Sequence, residues 1–415
     1  MRITTTARLA LAAGLGLAAP LAPLGAAAQE VQLFHDKGFW SAQLQTVGDA
    51  SQAATGVRIV ETPYSTAEQY KAFVQSSIAS GETPSMFTWW TGSTFRELVE
   101  TGQVAPLDDL WKTMLDSGAY QPGAEELFMV DGHPYGVPMV LARWVVLYDK
   151  AAFADAGIDT PPATWDELMA DAAALKEAGH TPFLATLQEG WRGFIWFQEL
   201  MLRTDPEAYL GLHDGTVAYD SEPVRHAFEL WSQMYADGWF SDPRSEQEVT
   251  DFVSGGGAMY LIGEWAVGLV ETAGFDEANL GVFVMPNAPG VNEASVIVEG
   301  GPIVVSTAGA EDPDVMKALS FWVSEEGAAA WGASSGNYIG NDQAPAPNAI
   351  VGEVNGLLAA SGAKSYLRWW EAVPPDLQGE LVAELNGFML DPTMENAETV
   401  MANMQSLNAA YWADQ

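Results

Sequence analysis

The sequence predicts an α/β fold with mixed, mainly parallel sheets, large enough for more than one lobe. Three observations carry that prediction. Short apolar strand-like runs alternate with helix-period segments from residue 31 onward. The chain has 415 residues, which suits two or three domains. Hydrophobic residues make up 48% and charged residues 17%, the balance of a chain that packs a core rather than stays disordered.

The elements follow in order. Val31-Gln32-Leu33-Phe34 reads as a buried strand, Ser41 to Ala54 as a helix and Val57 to Val60 as a second strand. Ser65 with Glu68 reads as a capping box for a helix carrying Tyr70, Phe73, Val74 and Ile78 on one face. Met86 to Trp89 is a third strand, and the helix after it, with Phe95, Leu98 and Val99, stops at Gly102. This alternation implies parallel strands joined by crossover helices. Val145 to Tyr148 is another strand, and Thr164 with Glu167 caps a helix whose face runs Trp165, Leu168, Met169, Ala172, Leu175. Pro182 to Ala185, Leu280 to Met285 and Pro302 to Ser306 are further strand candidates. Asp312-Pro313 supplies an N-cap with proline at the first helical position. From Leu357 onward the pattern is mostly helical.

Composition narrows function. Against 17 Lys+Arg stand 55 Asp+Glu, and that field repels nucleic-acid phosphates and anionic lipid headgroups. Cysteine is absent, which removes disulfides, thiolate nucleophiles and zinc–cysteine sites. The five histidines are scattered, so no metal is expected, and no cofactor motif occurs in a meaningful context. Arg2 and Arg8, the apolar run Leu9 to Leu24 and the small residues Ala26-Ala27-Ala28 read as a signal peptide over 1–28. Pro20 and Pro23 interrupt that run, and no Cys stands at the cleavage point. The expectation is an exported, periplasmic protein without a lipid anchor, starting near Gln29.

Gly332-Ala333-Ser334-Ser335-Gly336 matches a hydrolase nucleophile pattern, but a helix precedes it where that chemistry needs a strand. No catalytic residue is therefore assigned. The 16 Trp are more informative, because an aromatic face matches the apolar C–H face of a sugar ring while nearby carboxylates and guanidiniums serve its hydroxyls. Trp89 and Trp90 stand where a strand meets a loop, the edge at which open α/β sheets bind ligands. Trp191 lies in Gln188-Glu189-Gly190-Trp191-Arg192, Trp265 ends Gly263-Glu264-Trp265, and Trp369-Trp370 follow Arg368. Trp165, Trp322 and Trp331 sit on helix faces and are assigned to the core.

With these residues the chain resembles the family 1 extracellular solute-binding proteins of ABC importers, the group that includes maltodextrin-binding proteins. The most specific stretch is Phe252-Val253-Ser254-Gly255-Gly256-Gly257-Ala258-Met259-Tyr260-Leu261-Ile262-Gly263-Glu264-Trp265. Asp131-Gly132-His133-Pro134-Tyr135-Gly136-Val137-Pro138, Leu147-Tyr148-Asp149-Lys150 and Pro161 to Leu168 add to it.

The resemblance implies a two-lobed periplasmic binding protein fold (type II-like), with a hinge and an interlobe cleft that closes on a sugar. It implies lobes of 29–141 plus 297–345 and of 142–296 plus 346–415. It places Asp36, Lys37, Tyr64, Trp89, Trp90, Arg143, Trp144, Glu189, Trp191, Arg192, Glu264, Trp265, Trp369 and Trp370 at the ligand. Ser93-Thr94 stand where maltodextrin-type members carry Asp-Arg, which argues against maltose itself, and Arg143-Trp144 with Arg192 suggest donors for a modified or acidic sugar. The expected function is a monomeric, non-enzymatic carbohydrate receptor serving ABC permease subunits. The alternatives are an exported glycoside hydrolase, or a binding protein for a polyol, glycerol phosphodiester or compatible solute.

Overall fold

The computed structural model describes residues 29–121 and 123–413; the expected leader, 1–28, lies outside them. Eight strands form one connected sheet. Its edge is parallel: Gln29–His35 pairs with Val57–Pro63 on one side and Met86–Thr88 on the other. Pairing then turns antiparallel, because two long strands, Gly136–Asp149 and Ser295–Val305, run against each other and the second also runs against Met86–Thr88. Met259–Gly263 and Leu280–Phe283 pair antiparallel to the first long strand, and Lys364–Leu367 pairs parallel to the second. The sheet is therefore mixed.

Two separate cores sit along it. One gathers residues such as Leu33, Phe87, Trp111, Val137, Val304 and Trp322; the other gathers Trp144, Leu147, Phe197, Trp231, Met259 and Leu381. The long strands belong to both. Ala142 packs in the first core and Trp144 in the second, while Ile303 packs in the first and Ile297 in the second. A third passage lies between Ile339, in the first core, and Ile350, in the second. Adjacent strands of a single sheet thus carry the chain between cores, which keeps the joint narrow and its backbone hydrogen bonds satisfied.

Several local expectations hold. The Thr164–Glu167 capping box is present, and the Asp312 side chain accepts from the Asp314 amide ahead of the helix Pro313–Val323. Trp165, Trp322 and Trp331 are buried. Others shift. The cap of the helix Ala67–Ser80 is Thr66, which accepts from the Gln69 amide, one residue beyond the expected Ser65. Pro182 to Ala185 is no strand: Phe183 makes isolated bridges to Phe240 and Met259, since a proline lacking an N–H opens the segment. The tail is helical but for Lys364–Leu367. Gly332 to Gly336 ends a helix, with Gly336 as a left-handed cap and the Ser334 hydroxyl turned back to the Trp331 carbonyl. Among the described residues no helix is long and apolar enough to cross a membrane.

Candidate functional site

On the first-core side, residues at the ends of the parallel strands gather. Asp36 and Lys37 follow the first strand, and the Lys37 ammonium donates to Asp36 at 2.8 Å and lies 5.9 Å from the centre of the Trp90 ring. Tyr64 stacks on Phe73 with centroids 4.6 Å apart and lies near Tyr70, which meets Trp90 edge-on at 6.1 Å. Trp90 keeps part of its surface open, whereas Trp89 is buried and donates its Nε1–H to the Thr94 carbonyl at 3.0 Å.

On the second-core side the aromatic wall is continuous. Trp191 stacks on Phe194 at 5.7 Å, and Phe194 reaches Trp144 at 6.0 Å and Trp369 at 6.1 Å. Trp144 and Trp369 are fully buried, and Trp369 donates to the Tyr219 hydroxyl, so both support the wall from beneath. Trp191 and Trp370 remain partly open. The Arg192 guanidinium lies 3.4 Å from the Trp191 ring centre and is held by Glu248 through two bonds, with exposed Glu189 receiving Trp191 Nε1–H at 3.1 Å.

Charges fill the joint between the cores. Arg143, paired in the sheet opposite Val298, is buried and bonds Glu264 at 2.6 and 2.9 Å. Burial pushes the Glu264 carboxyl up, and Arg143 pulls it back. Glu299, one residue from Val298, bonds Arg368, whose other arm is 3.5 Å from Glu371. Arg368 lies within 6 Å of the Trp144, Phe194 and Trp370 ring centres (5.9, 5.8 and 5.2 Å). The segment Trp369–Ala372 and its cap Val373 also reach the first-core side: the Ser93 hydroxyl is shared between the Glu371 and Val373 carbonyls at 3.2 and 2.6 Å. A Cβ on Gly92 would lie 1.9 Å from the Glu371 carbonyl oxygen, so only glycine permits that approach. Ser93, where a charged pair stands in maltodextrin-type proteins, here ties the two sides together.

Trp265 stands at the centre. It is partly exposed and packs against both cores, and its indole lies back over Gly263, where a Cβ would come within 2.3 Å of its Nε1. A Gly263→Ala variant is expected to fold normally, because the added methyl meets side-chain atoms and no backbone, the Trp265 indole first and Glu299 Oε1 at 3.1 Å, and to push the indole off its seat. Titration calorimetry should then show weakened ligand binding at an unchanged melting temperature.

Sequence reasoning missed Glu248, Glu299, Arg368 and Glu371 as site residues, together with Tyr338, whose ring centre lies 5.0 Å from Arg143. Only Arg368 carried a local signal, its place before Trp369-Trp370. Glu371 lies only three residues from Arg368, and Glu248, Glu299 and Tyr338 are partners across long sequence gaps. Arg143 and Arg192 are already neutralised by carboxylates, which removes the reason to expect an acidic sugar.

Burial pushes the Glu371 carboxyl up to about 7, with Arg368 opposing and Glu299 adding to the rise. The folded state thus holds this proton more tightly than the unfolded chain, whose value is near 4.5. That contribution to stability is complete below pH 4.5 and is lost as pH rises toward 7. Glu371→Gln, neutral throughout, should narrow the difference in melting temperature between pH 5 and pH 8; an unchanged difference would place the titration elsewhere.

The profile of bacterial extracellular solute-binding proteins matches residues 46–354 of this chain. The chain belongs to that family. It is a family of binding proteins, in line with the receptor expected from the sequence. Among curated relatives of this solute-binding protein, the alpha-glucosides-binding periplasmic protein AglE of Rhizobium meliloti is 29% identical over 217 residues, 49% of this chain and 44% of AglE. The diacetylchitobiose binding protein DasA of Streptomyces coelicolor is 25% identical over 231 residues, 52% of this chain and 51% of DasA. The chain thus spans about half the length of these relatives. The solved structure of the bacterial solute receptor AcbH superimposes with a TM-score of 0.80 at 20% identity, covering 93% of this chain and 100% of AcbH. That likeness establishes the two-lobed fold.

Proposed function

We propose that this solute-binding protein is the receptor component of an ABC importer, that it holds a carbohydrate between its two lobes, and that it passes the sugar unchanged to a membrane permease. It would act as a monomer in the periplasm. The observation that carries the reading is Trp265, an open indole packed against both cores, with Trp90 on one side and Trp191 and Trp370 on the other. Aromatic faces of this kind take the C–H face of a pyranose. The cations named around them, Lys37, Arg143, Arg192 and Arg368, are each bonded to a carboxylate, so what they offer is directed hydrogen bonding to hydroxyls rather than a free charge.

AglE and DasA are named for alpha-glucosides and diacetylchitobiose, and AcbH for β-D-galactopyranose, which supports the carbohydrate class. We assign the lobes to 29–141 with 297–345 and to 142–296 with 346–415, supported by the two cores and the crossing segments between them. A sugar touching both lobes favours the closed arrangement by its differential affinity, and closure excludes water from the ion pairs.

The test is a thermal-shift panel of galactose, maltose and diacetylchitobiose with chromatography of the mixture. A sugar that binds only the folded state must raise the melting temperature. A rise with the sugar recovered intact supports the receptor. Consumption of the sugar would favour a hydrolase, and silence across the panel would overturn the carbohydrate assignment.

A further inference from the structure

His35 ends the first strand, is fully buried, and faces the candidate site only through its backbone neighbours. Its Nδ1 is 3.0 Å from the Lys37 amide nitrogen. A backbone N–H can only donate, so Nδ1 must be bare and the ring proton must sit on Nε2. Nε2 in turn donates to Glu61 Oε2 at 3.0 Å. Glu61 lies on the second strand and is held by the Ser41 hydroxyl at 3.0 Å and the Gln45 amide at 3.2 Å. The His35 carbonyl accepts from the Tyr64 amide at 2.8 Å. One side chain therefore sets the turn that carries Asp36 and Lys37, at a point where Lys37 has left the sheet with φ −105° and ψ 54°. Beyond that turn, Lys37 meets Asp36 and the Trp90 ring.

We propose that His35 is a positioning residue of the ligand site: its bare Nδ1 fixes the Lys37 backbone, and the Asp36–Lys37 pair is seated over Trp90 only while the imidazole is neutral. The ligand role rests on the carbohydrate-site reading above; the local role does not. The charges facing the ring are Glu61 from the second strand and Asp36 and Lys37 from its own end, while Ser41 and Gln45 from the helix behind are neutral. Burial holds the imidazole below the ordinary histidine value of 6.5, against the pull of Glu61. A protonated ring would present an N–H to the Lys37 N–H, two donors without an acceptor between them, and the turn would open.

Two variants separate this role from simple packing. His35→Asn places a carbonyl oxygen near the position of Nδ1 and keeps an acceptor for the Lys37 amide. His35→Gln reaches toward Glu61, in the place of Nε2, and leaves that amide without one. The full-length exported protein is used throughout. In the free protein, nitrogen NMR should show His35 with a bare Nδ1 and a protonated Nε2 at pH 7. The Lys37 amide should exchange slowly in the native protein and in His35→Asn, and roughly tenfold faster or more in His35→Gln. In the native protein, exchange at Lys37 should quicken, after correction for intrinsic rates, as pH falls below 6.5, and in His35→Asn it should not.

With galactose, maltose and diacetylchitobiose as probes, any sugar that binds the native protein should bind His35→Asn nearly as well and His35→Gln roughly tenfold or more weakly. A protonated Nδ1 at pH 7, or equal exchange in the two variants, overturns the proposal. Equal sugar affinity in the two variants overturns the ligand role. If none of the three sugars binds the native protein, the carbohydrate reading and the ligand role built on it fall together, and the NMR and exchange results still decide the local role.

Discussion

Replacing Trp265 by Ala is expected to remove ligand binding while the protein keeps its fold. The indole is partly exposed and touches both cores without being buried in either, so its truncation removes the proposed contact face without hollowing either core. A central aromatic contact of this kind is worth about 2–4 kcal/mol when truncated, a loss of roughly 30- to 700-fold in affinity. Calorimetry with whichever sugar raises the native melting temperature measures that loss directly. The variant's own melting temperature supplies the control. An affinity within threefold of native would mean that the ring packs the hinge and does not meet the sugar. Gly263→Ala probes the same ring from below, and the two changes should not add, since both remove one stacked face.

The fold was most readable where a hydrophobic period met a cap. The helices at Ser41–Thr55 and Trp165–Glu177 and the caps at Thr164 and Asp312 all follow from local pattern. The two long crossing strands were read only as fragments, Val145 to Tyr148 and Pro302 to Ser306. Both strands are buried on both faces for almost their whole length, so neither shows the apolar–polar alternation that marks a half-buried strand, and Arg143 and Glu299 break up their apolar runs. Their antiparallel pairing, which makes the sheet mixed, is a long-range event that no local window contains.

The site divides in the same way. The strand-to-loop edge pointed to Trp90 and the aromatic positions to Trp191, while Asp36, Lys37 and Glu189 entered only through the family resemblance. Within the pairs Trp89-Trp90 and Trp369-Trp370, which ring stays open depends on packing partners far along the chain. Trp89 and Trp369 were each claimed by a hydrogen bond, to the Thr94 carbonyl and to the Tyr219 hydroxyl. The acids that hold the arginines, Glu248 for Arg192 and Glu299 for Arg368, are separated from them by strands and helices and were lost among 55 carboxylates.

Arg368→Met should cause the largest loss of stability, and its size should depend on pH. Methionine keeps much of the arginine stem's apolar contact with the Trp144, Phe194 and Trp370 rings, so the change isolates the charge. Glu299 and Glu371 are both buried and both rely on this guanidinium. Without it two carboxylates face each other in a poorly solvated joint, and breaking a buried pair in this way costs about 3–5 kcal/mol. The repulsion exists only between ionised groups. With Arg368 gone, the largest opposing influence on Glu371 is removed and only the weaker hydrogen bonding at Thr91 still favours its charged form, so its carboxyl should titrate above its native value of about 7. The deficit should therefore be large at pH 8 and shrink toward pH 5, where the joint takes up a proton. Denaturant unfolding of native and variant protein at both values measures this. A deficit that stays constant from pH 5 to pH 8 would assign Arg368 to packing alone and leave the joint between the cores without an electrostatic clasp.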